Sequence, residues 1–217
     1  TCGAAVNHES RAKGRTALLE CMRVGKDAQA AEAIEALLSR GAQVDAEARG
    51  GGGNNEGGGG GLTALVEAAR LGMVDAMQRL VARGAKVDNE TKEGVTPLIA
   101  AAASNHTLAV DAIVEAGAVV DAESTSLCRT ALVAAVDSGS LESALALLDR
   151  GAKVDYETRD GSTALIRAAA IGNLEAIAAL VEMGRGNPDT QNALGATPLI
   201  TAARLGMHQA CKALVAH

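Results

Sequence analysis

The sequence predicts an all-α fold, a curved right-handed solenoid of stacked helix pairs joined by short β-hairpin fingers. Three observations lead there. A threonine followed two residues later by leucine heads an alanine-rich stretch at Thr16, Thr63, Thr96, Thr130, Thr163 and Thr197, at intervals of 47, 33, 34, 33 and 34 residues. A period near 33 with this phrase marks one supersecondary unit stacked many times. Nine residues after each threonine stand Gly25, Gly72, Asn105, Gly139, Gly172 and Gly206, where a first helix must stop and the chain turn back. Asn tolerates the left-handed backbone of a helix terminator best after Gly, so Asn105 fits the series. Finally, Trp and Phe are absent and Tyr156 is the only aromatic residue, so the interior must be Leu, Ile, Val, Met and Ala. Small faces of that kind suit short helices that approach closely.

Taken in order, residues 1–15 read as the finger of a truncated upstream unit, because Val6, Asn7, Glu9 and Gly14 repeat the phrasing of later fingers. Unit one spans 16–62. Its Gly25-to-Gly41 interval is four residues longer than its counterparts, which calls for a longer second helix or an extended turn. Its finger contains a glycine-rich insertion at 50–61, a low-complexity tract whose composition resists folding alone. No Lys-Ser or Lys-Thr follows that tract as in a phosphate-binding loop; as a functional element it would be an adaptable contact that orders on a partner. Units two to five span 63–95, 96–129, 130–162 and 163–196, and a truncated sixth spans 197–217. Second helices end at Gly41, Gly84, Gly117, Gly151 and Gly184. Arg40, Arg83 and Arg150 just before them suit a helix C-terminus. Each finger then opens on Val-Asp-x-Glu, from Val44, Val87, Val120 and Val154. Arg185, Gly186, Asn187 and Pro188 break this rule and add one residue to the fifth finger. With both ends cut inside a unit, the chain is expected to be part of a longer array.

The threonine-leucine phrase, the paired glycines and the period together resemble the ankyrin-repeat family over nearly the whole chain. Two departures stand out. The family's His, three residues after the threonine, is replaced by Leu19, Val66, Ile99, Val133, Ile166 and Ile200, so a polar network becomes an aliphatic seam. Pro follows the threonine only at Pro97 and Pro198; elsewhere alanine's helix propensity must serve. The resemblance implies non-catalytic recognition: a protein-protein interaction module or scaffold that holds its partner across the fingers and the exposed positions of the first helices. A regulatory or substrate-recruiting segment of a larger enzyme or channel, and a structural spacer in a large assembly, are the alternative readings.

Composition bounds the partner. A net charge of −6 argues against nucleic acid, which wants clustered Lys and Arg. Cys2, Cys21, Cys128 and Cys211 form no C-x-x-C pair and have no histidine at zinc-ligand spacing, so free thiols in cytosol or nucleus are expected, without metal or other cofactor. No apolar run reaches membrane-spanning length. Catalysis has little to stand on, since His8, His106, His208 and His217 fall at unrelated positions and no Ser, Cys or Asp completes a triad.

Candidate contact residues come from the repeat register. Glu47, Glu90, Glu123 and Glu157 recur in the fingers and should align about one screening length apart. Such a row would either attract a basic segment of a protein partner or be ordinary solvated residues balanced by Lys92, Arg129 or Arg159. Seven and eight residues after the threonines, the first helices offer Arg23, Arg70, Asp137 and Arg204 around a small, smooth middle at Ala103 and Ser104. Interface anchors favour Tyr and Arg, which singles out Tyr156, Arg23, Arg70 and Arg204, with packing on its own finger as the other role for Tyr156.

Overall fold

The computed structural model describes residues 6–7, 15–24, 27–48, 62–183 and 186–216. The glycine-rich tract lies outside these residues, as do Glu9 and Gly14. Among the described residues are twelve helices in six consecutive pairs. The first helices are α1 (Ala17–Val24), α3 (Ala64–Arg70), α5 (Pro97–Ala103), α7 (Ala131–Asp137), α9 (Ala164–Ile171) and α11 (Pro198–Arg204). The second helices are α2 (Asp27–Leu38), α4 (Val74–Ala82), α6 (Thr107–Glu115), α8 (Leu141–Asp149), α10 (Leu174–Glu182) and α12 (His208–Ala216). First helices pack on first helices and second on second, each pair being also in contact with itself. At twelve residues against nine in the other second helices, α2 takes up part of the extra length of unit one.

Each threonine makes its helix start. Thr63, Thr96, Thr130, Thr163 and Thr197 have extended backbone, and their hydroxyls accept the N–H three residues on at 3.1–3.3 Å. This satisfies a donor that the first turn leaves orphaned. The leucine two residues later enters the core: Leu65, Leu98, Leu132 and Leu165 are 1–3% exposed. Leu80, Ile113, Leu147 and Leu180 answer them from the second helices, and alanines fill the space between. Burying one such side chain is worth about 1.5–3 kcal/mol.

Helix ends follow the glycines. Ala85 donates to the Leu80 carbonyl and Gly84 to that of Val81, closing α4 with paired bonds that need a left-handed residue at Gly84, φ 89°. Asn105 adopts φ 58° in the same series as Gly72 and Gly139. It does more than turn the chain. Its Oδ1 accepts the Ser143 N–H at 3.1 Å near the start of α8, and its amide donates to Glu142, so one residue ends α5 and caps the next unit. That contact holds the Glu142 carboxyl below the usual carboxylate range.

No strand occurs among the described residues, so the all-α solenoid expected is seen there without the β-hairpin fingers. Each finger closes on itself by a short backbone bond, Thr91 to Val95, Ser124 to Arg129, Thr158 to Ser162 and Asn192 to Ala196, reinforced by the side-chain oxygen of the same Thr, Ser or Asn. That is too little backbone pairing for a ladder. Side chains join one finger to the next instead.

Candidate partner-binding groove

Acids of Val-Asp-x-Glu reach forward by one unit, three of the four aspartates and three of the four glutamates. Oδ1 of Asp45, Asp88 and Asp121 accepts the backbone N–H of Lys86, Val119 and Lys153 at 3.2, 3.2 and 2.9 Å. Asn7 does the same for unit one, accepting from Gln43 at 2.8 Å and donating to the Gly41 carbonyl. The glutamates bind the tip of the following finger. Glu90 accepts from the Thr125 N–H at 2.9 Å, the Thr125 and Ser124 hydroxyls at 2.8 and 3.0 Å, and the Ser126 N–H at 3.2 Å. Desolvation works against its charge, yet these bonds from Thr125, Ser126 and Ser124 hold the Glu90 carboxyl below its ordinary range. Glu123 accepts from the N–H and Nε of Arg159, both at 2.9 Å, and Glu157 from the Ala193 N–H at 2.8 Å. Glu47 has no hydrogen bond among the described residues.

The carboxylates of three finger glutamates are thus engaged within the chain, and a basic partner would compete with those bonds. Tyr156 belongs to the same network: its hydroxyl donates to Glu123 at 3.4 Å. Burial first, then the charge of Glu123, pushes its pKa above the usual tyrosine value. Arg83 and Arg150 also reach back by one unit, Arg83 to Glu35 and Arg150 to Asp111 and Glu115 at 3.0 and 2.9 Å.

Beneath the fingers, α3, α5 and α7 lie side by side and leave a groove of about 390 Å³. Its floor is Val66, Ile99, Ala100, Ala103 and Ala134; Val95 and Leu127 close the finger side. Ser104 and Ser138, the C-cap residues of α5 and α7, also line it. Arg70, Arg129 and Glu93 are the charged residues of its lining.

Two buried acids fix those arginines. Glu67, whose side chain is 0% exposed, receives Nε and Nη2 of Arg70 at 2.8 and 2.9 Å. Asp137, 10% exposed, receives Nε of Arg167 at 2.8 Å on one oxygen. Its other oxygen lies 3.4 Å from Nε of Arg129, an ion pair too poorly aligned for a hydrogen bond. The structure therefore places Arg70 in the groove and Asp137 under it as a clamp. Arg23 and Arg204 are exposed on α1 and α11, outside the groove lining. Sequence reasoning missed Glu67 and Arg167, and read Arg129 only as a charge balancing the finger glutamates, whereas it pairs with Asp137. The signal for the first was present, a lone acid three residues before Arg70 in an otherwise apolar helix.

Among the described residues no group of His, Cys, Asp and Glu could hold a metal ion, and no helix is long and apolar enough to cross a membrane. Burial pushes the Cys21 thiol up to about 11, far from a reactive thiolate.

Stacked helix pairs bearing an open groove define the molecule as a helical repeat array, a class whose surfaces serve recognition. A model of ankyrin repeats in three copies matches residues 49–124, 65–158 and 132–217, and the chain belongs to the ankyrin-repeat family. Repeats of this family are generally protein-protein interaction modules and typically non-catalytic. Comparison with curated proteins gives no match.

Proposed function

We propose that the chain is a non-catalytic interaction module that holds a protein partner in the groove above α3, α5 and α7. The observation that carries this reading is the groove itself: a concave, apolar, alanine-rich surface of about 390 Å³ whose lining also includes side chains able to make directed bonds. Such a surface suits an extended peptide or a helix laid along it. The fingers contribute a rigid wall, because each is bonded to the next through its acids.

A photo-crosslinking amino acid placed at Ala103, on the groove floor, should trap protein partners in source extract. The same group at Glu115, on the second-helix side with a side chain 66% exposed, should trap few. Crosslinks confined to position 115 would move the interface to the opposite side of the stack.

A further inference from the structure

The chain carries a net charge of −6, but the charge is unevenly placed. Acids occur on each of α2, α4, α6, α8 and α10, from Asp27, Glu32 and Glu35 to Glu175 and Glu182, and Arg79 is the only base within those five helices. First helices reverse this pattern. They carry Arg23, Arg70, Arg167 and Arg204 against Glu20, Glu67 and Asp137. The two acids that pair with the groove's arginines are inside and the bases outside: Glu67 and Asp137 are 0% and 10% exposed, whereas Arg70 and Arg129 are 43% and 41% exposed; Glu93 is the one exposed acid among the lining residues, against two arginines.

Resting on the groove reading above, we infer that the groove's partner is an acidic peptide segment, with one carboxylate side chain at Arg70, another at Arg129, and small apolar residues between them. Glu67 occupies Nε and Nη2 of Arg70, leaving Nη1 without a partner among the described residues; Asp137 lies on the Nε side of Arg129 and leaves both Nη groups so. Each guanidinium is thereby held by a buried anion while part of its planar donor array stays available to a carboxylate. The floor of Ile99, Ala100, Ala103 and Ala134 between them offers no charge and accepts small apolar side chains. Helices α3 and α7 are two helix spacings apart, about 16–20 Å. An extended chain crosses that in about five or six residues, which sets the spacing of the two acids. Three finger acids, Glu90, Glu123 and Glu157, already hold the neighbouring fingers and would have to give up those bonds to take a basic peptide.

The test is selection of a random dodecamer display library on the whole chain, followed by fluorescence anisotropy of the selected peptides. Binders should be enriched in Asp or Glu pairs five or six residues apart. Arg129→Gln and Arg70→Gln should each weaken them about three- to fivefold, as expected for partly exposed charge pairs, and raised salt should weaken them further. Arg70→Gln leaves Glu67 buried without its partner, so its melting is followed by circular dichroism; Arg129→Gln, which leaves Arg167 on Asp137, carries the test if the first variant unfolds. Ala103→Trp, which fills the floor, separates the two readings. Binders that are lost with Ala103→Trp but are basic or neutral and indifferent to both arginine changes overturn the acidic inference and leave the groove standing. Binders indifferent to Ala103→Trp, or a selection that yields none, overturn both. A single-stranded DNA oligonucleotide of equal charge should bind at least tenfold more weakly than the peptide; equal binding would make the arginines a general anion surface and overturn the inference.

Discussion

Ile99 in the third unit and Ile200 in the sixth follow near-identical helix starts, Thr-Pro-Leu-Ile in both, yet the first is 4% exposed and the second 45%. In α5 six of the seven residues are buried; in α11 only Pro198 and Ala202 are. The local sequence makes the same helix in both places, with the same threonine cap at 3.2 and 3.1 Å. What differs is the neighbour: α5 is packed on both sides, by α3 and α7, and α11 by α9 on one. Secondary structure in this molecule is thus local, while burial is shared between units.

The widest gap should come from truncating the isoleucines. Ile99→Ala removes a buried side chain and should cost about 2–4 kcal/mol, whereas Ile200→Ala should stay under about 1 kcal/mol. Urea unfolding, with amide exchange resolved for α5 and α11, measures both. Equal losses would mean that the seam at this position contributes nothing through the neighbouring unit.

A smaller contrast lies in the fingers. Glu90 binds the following finger, while Gln191, its counterpart in the finger of unit five, is exposed and has no bond among the described residues. Glu90→Gln should destabilise by about 1.5–3 kcal/mol because its partners include charge-assisted bonds, and Gln191→Ala should stay within about 0.5 kcal/mol. The Glu90 difference should also depend on pH. Its folded pKa is depressed, so its stabilisation is complete above the unfolded value, about 4.3, and is lost as pH falls through the lower folded value. Parent and Glu90→Gln stability curves, separate at pH 6, should approach one another below pH 4. Parallel curves down to pH 3 would show that the bonds seen at Glu90 do not favour its ionised form.

Within-unit chemistry was legible in the sequence, and chemistry between units was legible only as recurrence. Threonine spacing and the glycine positions located every helix pair, and Asn105 was recognisable as a left-handed residue because its place in the series is otherwise glycine. Its second role, capping α8, requires knowing that position 105 faces Ser143 of the next unit. Val-Asp-x-Glu was visible as a repeated phrase, but the Glu90 partners lie 35 residues on at Thr125, beyond any local pattern. The hydroxyl residues that follow the glutamates, Thr91, Ser124 and Thr158, are buried at 6%, 0% and 2% and were not singled out, although they recur at the same period. Of the groove, Arg70 was legible from register. The clamp of Asp137 by Arg129 and Arg167 was not, because its two arginines come from the finger before α7 and from the next unit's α9.

The smallest contrast should be at the threonine caps, and it tests the claim that helix starts are local. Thr96→Ala and Thr197→Ala each remove a hydroxyl that accepts one N–H within its own unit, from Ile99 and Ile200. Each should cost about 1 kcal/mol. The two losses should agree within about 0.5 kcal/mol even though Thr96 lies in the middle of the stack and Thr197 in its last described unit. Local unfolding free energies from amide exchange at Ile99 and Ile200 read this directly, since those are the capped donors. A cap worth several-fold more at Thr96 than at Thr197 would mean that packing from the adjacent unit strengthens the bond, and the division between local structure and shared burial drawn from the isoleucines would have to be abandoned.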